Sequence, residues 1–336
     1  MKQKYFSIIG CQHAHISVFI EEMFSLGYEC SGIYDEDDLW LAKKLSTEYN
    51  IKLVDDKMKL LNSEVSVVGC AAINNKKIDV IELCEQYGKH IMLDKPIVTN
   101  NEDFERLKNV IRNGKIEIGM LLTERFRNSL YTLREEIKAG TLGEIVSISM
   151  RKPHLLRPSS RPEWHFSKEQ CGGIIIDLFI HDFDLLRWLT NQEITSCSGY
   201  VSKNILKEYP SFYDVASLNV ELSEGVIANL YADWHTPTSS WTWGDCRIFV
   251  VGTKGVAEVR LEGDPLITEN EEIIIQVTKE TEAERISCKK ILFTITEDFL
   301  RRINTGKSEI THKDILSTIE ATLKGDQEVK YLNNLA

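Results

Sequence analysis

The strongest constraint on the fold is a regular alternation of short apolar runs and helix-period segments in the first third of the chain. The apolar runs occupy residues 5–9, 30–34, 65–70, 90–93 and 116–120. Between them, apolar residues recur at helical spacing, most clearly over residues 13–26, 76–87 and 101–113. Near-continuous apolar strands joined by helices are typical of a parallel sheet that is covered on both faces. The sequence therefore predicts a doubly wound α/β domain that binds its ligands at the carboxyl ends of the strands.

The pattern changes after about Thr123, where longer strands begin to dominate. Residues 214–222 and 226–234 alternate apolar and polar side chains, as antiparallel strands do when one face is packed. Helical spacing returns near the end, over residues 289–303 and 313–323. A chain of 336 residues is longer than one typical domain. We therefore expect a dinucleotide-binding domain over residues 1–122 and an α+β domain over residues 123–336.

Composition excludes several partners and compartments. The chain has 40 basic and 51 acidic residues and a net charge of −11, so we expect neither nucleic acid nor an anionic membrane surface as its partner. No apolar stretch approaches the length of a membrane span. The eight cysteines include no C-x-x-C pair, and scattered thiols of this kind are typical of a reducing compartment. The sequence therefore predicts a cytoplasmic protein.

A dinucleotide site is suggested by the first strand–turn–helix unit. Gly10 ends the first strand, but Gln12 and His15 replace the second and third glycines of the G-x-G-x-x-G fingerprint. Asp35 ends the second strand, where an acidic residue can bind the adenosine ribose. Gln12 or His13 could hydrogen-bond phosphate at the helix N-terminus. The alternatives are that Asp35 is a solvated loop acid and that tight cofactor binding has been lost.

Two further motifs carry groups suited to proton transfer and charge stabilisation. Asp94-Lys95-Pro96 follows the fourth strand, so Lys95 could place its positive charge beside a reacting oxygen; the alternative is an ordinary surface turn. Asp177 and His181 are four residues apart and would share one face of a helix. An imidazole that is oriented by a carboxylate is suited to proton transfer. The alternative for Asp177 is a helix-capping role.

The segment of residues 151–165 is basic, aromatic and rich in proline. It could cover the active site and contact a polyhydroxylated or acidic substrate, with Trp164 and His165 as candidates. A solvated connecting loop is the alternative.

A metal-dependent enzyme of another class must also be weighed. Six residues could in principle assemble a metal site: His13, His15, His165, Asp177, His181 and His235. The His13–His15 pair, however, should begin a helix, where side chains two positions apart diverge. We therefore expect no metal, and a metal-dependent hydrolase is the less favoured alternative. The second alternative is a binding or regulatory protein without catalytic activity.

Taken together, these motifs resemble the glucose–fructose oxidoreductase/inositol dehydrogenase/rhizopine-catabolism (Gfo/Idh/MocA) family over essentially the whole chain. Asp94-Lys95-Pro96 matches that family's Glu-Lys-Pro with Asp for Glu, and Gly172-Gly173 with Asp177 and His181 matches its Gly-Gly…Asp-x-x-x-His segment. Asn74 matches an asparagine of the cofactor loop. The chain departs from the family at Ala72-Ile73, where Thr-Pro is usual, and at Lys77, where a histidine is usual.

The resemblance implies an N-terminal Rossmann domain, a C-terminal domain with a large open, mostly antiparallel sheet, and a dehydrogenase that acts on a CH–OH group of a sugar, an inositol or a related polyol. His181 would take or return the hydroxyl proton, Asp177 would orient substrate or His181, and Lys95 would stabilise the reacting oxygen. The expected cofactor-binding residues are Gly10, Gln12, His13, Asp35, Ala72, Asn74, Asp94 and Lys95. The expected substrate-binding residues are Lys95, Arg125, Trp164, His165, Asp177 and His181.

Cofactor choice and assembly are predicted from the residues themselves. Asp35 and the acids that follow it would repel the 2′-phosphate of NADP, so we expect NAD as the cofactor. The alternating strands after residue 214 leave one sheet face without enough helices to cover it, which predicts a homodimer or homotetramer.

Overall fold

The computed structural model describes residues 4–269 and 271–333. The chain folds into two compact units, each built from separate stretches of sequence. The first unit comprises Met1–Leu121, Glu169–Gly172 and Phe293–Ile319, and the second comprises Leu122–Lys168, Gly173–Leu292 and Glu320–Ala336. The division into domains at residues 122 and 123 stays a prediction.

The first stretch of the first unit carries the predicted parallel sheet. Its strands are β1 (Lys4–Cys11), β2 (Tyr28–Tyr34), β3 (Val65–Ala71), β4 (His90–Leu93) and β5 (Ile118–Met120). Its helices are α1 (Ile16–Ser25), α2 (Trp40–Glu48), α3 (Lys77–Gln86) and α4 (Asn101–Asn113). The strand order is β2-β1-β3-β4-β5 and every pair is parallel. The predicted doubly wound sheet is therefore confirmed, and all five strands end at the same edge.

Local sequence signals explain where these helices begin and end. The Asn100 side chain accepts the Asp103 N–H at the start of α4. Gly114 ends the same helix in the left-handed conformation, with φ of 64°. These two residues give α4 the limits that the sequence predicts.

The second unit is built on a nine-stranded, mostly antiparallel sheet. Four helices lie in residues 122–292 or at its junctions: α5 (Asn128–Lys138), α6 (Lys168–Cys171), α7 (Gly173–Leu178) and α8 (Ile180–Thr190). The strands are β6 (Ile145–Pro153), β7 (Ile194–Lys203), β8 (Val215–Leu222), β9 (Ile227–Asp233), β10 (Arg247–Gly252), β11 (Gly255–Arg260), β12 (Gly263–Asp264), β13 (Thr268–Glu269), β14 (Ile273–Thr278) and β15 (Glu284–Ile286). β12 and β13 form a separate pair.

The C-terminal part contributes α9 (Ile295–Thr305), α10 (His312–Gln327) and β16 (Val329–Asn333). The large sheet then has the order β15-β14-β11-β10-β6-β9-β8-β7-β16. The sequence pattern predicts that the next helix begins at residue 289, and this start is wrong. Thr294 and Glu297 form a capping box, so α9 begins at Ile295. Among the described residues, we find no helix with the length and apolar character needed to cross a membrane.

Candidate active site

The end of β1, just before the turn that leads to α1, lies very close to the end of β3. Gly10 has φ of 86°, and a Cβ added there would lie 2.5 Å from the Ala72 Cβ and 2.8 Å from the Ala72 nitrogen. Neither the backbone conformation nor the space admits a side chain. Gly10 is therefore needed for the close approach of β1 to Ala72 just after β3, even though the other fingerprint glycines are missing.

Asp35 lies at the end of β2 beside this turn. Its carboxylate accepts the backbone N–H of Cys11 and, at 2.8 Å, that of Asp37, and the residue is only 8% exposed. The alternative of a solvated loop acid is therefore wrong for Asp35. An open cleft of about 430 Å³ lies against it and is lined in part by Gly10, Tyr34 and Ala72. This cleft is at the carboxyl ends of β1, β2 and β3, where doubly wound sheets bind nucleotides.

The side chains that replace the missing glycines bind protein groups. Gln12 Nε2 donates to the Asp38 carbonyl at 2.8 Å. His13 Nδ1 lies 3.0 Å from Asp94 Oδ2, and His15 Nδ1 lies 3.1 Å from Asp94 Oδ1. The prediction that the two histidines diverge is wrong, because residues 13–15 form a turn and α1 begins only at Ile16.

Asp94 is a buried carboxylate surrounded by donors. It is 1% exposed and has the two imidazoles and, at 3.8 Å, the Lys77 ammonium as neighbours. Burial alone would raise the pKa of Asp94, but its interactions with the His13 imidazole and the Lys77 ammonium hold this pKa well below its usual range. Burial lowers the pKa of His13 against the opposing attraction of Asp94. The carboxylate is therefore ionised at neutral pH.

Lys77 holds the loop that carries Lys95, a role that sequence reasoning missed. Lys77 is fully buried and donates to Asn74 Oδ1 at 2.8 Å, to the Asp94 carbonyl at 2.8 Å and to the Pro96 carbonyl at 2.9 Å. The Lys95–Pro96 peptide bond is cis. The only sequence signal was the departure from the family's histidine at this position.

Asn74 serves the same loop. Its amide nitrogen donates to the Cys171 carbonyl at 2.9 Å, while its oxygen accepts from Lys77. Both ends of this side chain therefore have protein partners within the first unit, which gives Asn74 a structural role beside the cofactor contact expected from the sequence.

Asp177 and His181 stand out in the helical region of the second unit. They lie in α7 and α8, which meet at Phe179, and backbone hydrogen bonds continue across the junction from Phe179 to Ile175 and from Phe183 to Phe179. In the fully described stretch of residues 174–189, Asp177 and His181 are the two residues that are not fully buried. Their exposure amid a packed core suits groups that meet a ligand.

Arg125 forms a buried ion pair in the second unit. Its guanidinium is 2% exposed and binds Asp184 with two hydrogen bonds, from Nε at 2.8 Å and from Nη2 at 2.6 Å. It also lies over the Trp188 ring. This bidentate pair gives Arg125 a structural role, and the substrate contact expected from the sequence stays a prediction.

The end of the aromatic segment before α6 is folded and buried, whereas residues 157–160 are exposed as a solvated loop would be. Trp164 and His165 lie in a short helical turn and are 7% and 5% exposed. The His165 ring packs edge-on against Trp234 with the centroids 5.3 Å apart. The Arg161 guanidinium lies over the Trp234 ring, 4.8 Å from its centroid. Whether Trp164 and His165 also contact substrate stays a prediction.

Sequence reasoning also missed a group of buried charges next to His181. Lys152 on β6 is 3% exposed, and its Nζ lies 3.6 Å from Asp182 Oδ1 and 3.9 Å from Glu124 Oε2. Neither the ammonium nor the Asp182 carboxylate has a hydrogen-bond partner among residues 4–269 and 271–333. Burial raises the pKa of Asp182 to about 6, although Lys152 opposes the rise.

The fold and the first-unit cleft define a protein with a nucleotide-binding Rossmann domain and a second domain built on an open sheet. Residues 5–117 match the family described as "Oxidoreductase family, NAD-binding Rossmann fold", and residues 130–258 match the "GFO/IDH/MocA C-terminal domain". The chain belongs to the Gfo/Idh/MocA family.

Two relatives that match the chain have names that point to different substrates. The chain is 28% identical over 206 residues to the rhizopine catabolism protein MocA of Rhizobium meliloti, covering 60% of this chain and 61% of that protein. It is 26% identical over 258 residues to the myo-inositol 2-dehydrogenase of Thermotoga maritima, covering 74% of this chain and 71% of that protein. The match thus spans less than two thirds of the first relative.

The solved structure of UDP-N-acetylglucosamine 3-dehydrogenase from Acidithiobacillus ferrooxidans has the same fold. It superposes with a TM-score of 0.76, covers 98% of each chain and is 20% identical. This likeness supports the architecture of both units.

The residues of the first-unit cleft fit an NAD cofactor. The glycine cradle at Gly10 would be filled by any Cβ, and Asp35 offers a carboxylate for ribose hydroxyls at the end of β2. Gly10, Asp35 and Ala72 would hold the adenosine end. When bound, the nicotinamide accepts or donates a hydride.

Proposed function

We propose that the chain is an NAD-dependent dehydrogenase that oxidises a CH–OH group of a sugar, an inositol or a related polyol. The observation that carries the proposal is Asp35, a nearly buried carboxylate that lines the nucleotide cleft beside Gly10. The relatives' names support an alcohol as the substrate. A cytoplasmic location is part of the proposal and is supported by eight free cysteines.

The proposed chemistry uses three side chains. His181 accepts the hydroxyl proton as the alcohol is oxidised and returns it in the reverse direction. Asp177, four residues earlier, orients His181 or a substrate hydroxyl. Lys95 stabilises the partial negative charge on the reacting oxygen. The hydrogen bonds of Lys77 to the backbone on both sides of Lys95 fix the position of that lysine.

The test is a panel of inositols, hexoses and sugar acids, with NADH formation followed at the nicotinamide absorbance. We expect turnover of at least one inositol or sugar. If the protein binds NADH in a fluorescence titration but oxidises no member of the panel, the substrate class is wrong. If it binds neither NADH nor NADPH, the non-catalytic alternative replaces the proposal.

We expect the protein to prefer NADH over NADPH. Asp35, Glu36, Asp37 and Asp79 all line the cleft, and its two lysines already have acidic partners: Lys57 lies 3.1 Å from Glu36, and Lys76 lies 2.5 Å from Asp37. A 2′-phosphate would therefore meet like charge without a free cation to bind it.

Asp35→Ser should weaken NADH binding, because it removes the acceptor for the ribose hydroxyls. It should also reduce the preference for NADH over NADPH, because it removes one charge that repels the 2′-phosphate. Fluorescence titration with both cofactors measures the change. Asp38→Ser, in the same acidic run but outside the cleft, is the matched control. Tighter binding of NADPH than of NADH by the unaltered protein would contradict the prediction.

We also propose a homo-oligomer that uses the outer face of the large sheet. One row of that face pairs Ile227, Ser147, Val251, Val256 and Val277 across neighbouring strands. Ile227 is 57% exposed, and Val251, Val256 and Val277 are between 36% and 44% exposed. Apolar rows of this length are typical of protein interfaces.

Light scattering at micromolar concentration should give a mass of two or four chains of 38.5 kDa. Ile227→Glu combined with Val256→Glu should shift the mass towards a single chain, because each buries a charge in the proposed interface. Leu292→Glu, at an 87% exposed position outside the row, is the control. A single-chain mass for the unaltered protein would refute the proposal.

A further inference from the structure

We propose that the turn between β1 and α1 is a binding site for a divalent transition-metal ion such as Zn²⁺, with His13, His15 and Asp94 as its ligands. The proposal does not depend on the dehydrogenase activity.

The donor atoms already have the spacing of a coordination sphere. His13 Nδ1 and His15 Nδ1 lie 3.0 and 3.1 Å from the two oxygens of one carboxylate, and one donor atom from each residue lies within 4.8 Å of the others. Zinc binds imidazole nitrogen and carboxylate oxygen at about 2.0–2.2 Å, so neighbouring ligand atoms lie about 3–3.5 Å apart. Small side-chain adjustments would therefore be enough to enclose an ion.

The turn also prepares these groups for a shared ligand. The imidazole rings are nearly perpendicular, at 85°, with centroids 4.2 Å apart, so both Nδ1 atoms point to the same carboxylate without stacking. The backbone is held by the hydrogen bond from the Gln12 nitrogen to the Ala71 carbonyl at 2.7 Å. The loop of Asp94 is held by Lys77. The three side chains would therefore need little further ordering when an ion binds.

Access and charge set the type of site. The His15 side chain is 52% exposed and that of His13 is 26% exposed, while Asp94 is buried. An ion would thus have three protein ligands on one side and water on the other, the arrangement of an open zinc site. The Lys77 ammonium, 3.8 Å from Asp94 Oδ2, opposes a second cation. We therefore expect moderate affinity, in the micromolar range.

Two imidazoles and one carboxylate favour a transition metal over Mg²⁺ or Ca²⁺, which prefer oxygen ligands alone. Zn²⁺ has no geometric preference of its own and can adapt to a site formed by a short turn. Co²⁺ takes the same ligands and reports them through its visible absorption.

The experiment uses the full-length protein without a histidine tag, stripped of metal with a chelator and dialysed. We expect calorimetric titration with Zn²⁺ to give one site per chain and Co²⁺ to give visible absorption bands. His15→Ala should weaken Zn²⁺ binding at least tenfold, since it removes one of three ligands. Because His15 is half exposed, this variant should fold, which circular dichroism checks.

His235→Ala is the matched control. His235 Nε2 lies 3.0 Å from Asp214 Oδ1, so it forms a histidine–aspartate pair of the same length with one imidazole only. This variant should bind Zn²⁺ as the unaltered protein does. Two results would overturn the proposal: no Zn²⁺ uptake by the unaltered protein, or equal Zn²⁺ affinity in the His13→Ala/His15→Ala double variant. The imidazoles would then serve only as hydrogen-bond donors to Asp94.

Discussion

Substituting Lys95 with Met should lower turnover by about 10²–10³-fold, the usual effect of removing an electrostatic donor to a reacting oxygen. Substituting His181 with Ala should lower turnover by about 10²–10⁴-fold, as loss of a positioned general base does. His181 is partly exposed at the start of α8, so truncation leaves the surrounding core packed. Lys95 lies on the loop held by Lys77, which keeps its own hydrogen bonds in the variant.

Steady-state turnover with the substrate identified from the panel measures both losses, and NADH affinity is determined alongside. We expect NADH affinity to change little in the His181→Ala variant. If both groups act on one oxygen, the losses in the double variant should be less than additive. Lys115→Met, at an exposed lysine of the first unit, serves as control. Near-normal turnover of the His181→Ala variant would remove His181 from the mechanism.

The parallel sheet could be predicted because its signals are local. Each strand is a short run of buried residues, and Asn100 and Gly114 set the beginning and the end of α4. The position of Asp35 at the end of β2 follows from the same alternation. Sequence periodicity therefore located the cleft beside Asp35, since a parallel sheet forces its loops to one edge.

The turn that carries His13 and His15 could not be predicted in the same way. Helical periodicity begins near residue 13, but the backbone hydrogen bonds of residues 13–18 are those of a tight turn. Whether His13 and His15 diverge or converge depends on those few dihedral angles. The convergence on Asp94 needs a partner that is 79 residues away from His15, which no local pattern reports.

The return of the chain to the first unit was also beyond the sequence pattern. Gly119 on β5 leaves space that Phe299 fills, since a Cβ there would lie 2.9 Å from the Phe299 ring. In the second unit, β16 pairs in parallel with β7, more than a hundred residues earlier. Such pairings depend on the shapes of surfaces that form only after the local elements have folded.

Substituting Lys152 with Met should destabilise the second unit by about 3–5 kcal/mol, the usual cost of removing one partner from a buried ion pair. The ammonium lies 3.6 Å from Asp182 and 3.9 Å from Glu124, and Asp182 is fully buried. Without Lys152 the buried Asp182 carboxylate would lose its ion-pair partner and keep the repulsion of Glu124. The double variant Lys152→Met/Asp182→Leu should recover most of the loss, because it replaces the pair with apolar groups.

The free energy of unfolding in urea, followed by tryptophan fluorescence, measures these changes. Five of the six tryptophans lie in the second unit, so the signal reports chiefly on that unit. Lys138→Met is the matched control: Lys138 lies 3.2 Å from Glu135 but is 53% exposed, and such pairs contribute less than about 1 kcal/mol. A double variant that is no more stable than Lys152→Met would contradict the account.

The cluster of Lys152, Asp182 and Glu124 also predicts how the free energy of unfolding changes with pH. Burial raises the pKa of Asp182 from the ordinary 3.8 to about 6, so the folded protein binds this proton more tightly than the unfolded chain does. Its contribution to stability is fully present below pH 4 and is lost as the pH rises through about 6. Asp182→Asn cannot titrate, so the difference in unfolding free energy between this variant and the unaltered protein should change between pH 4.5 and pH 8, in favour of the variant at the higher pH. A difference that stays constant over this range would mean that Asp182 keeps its charge in both states and that the Lys152 ammonium compensates its burial fully.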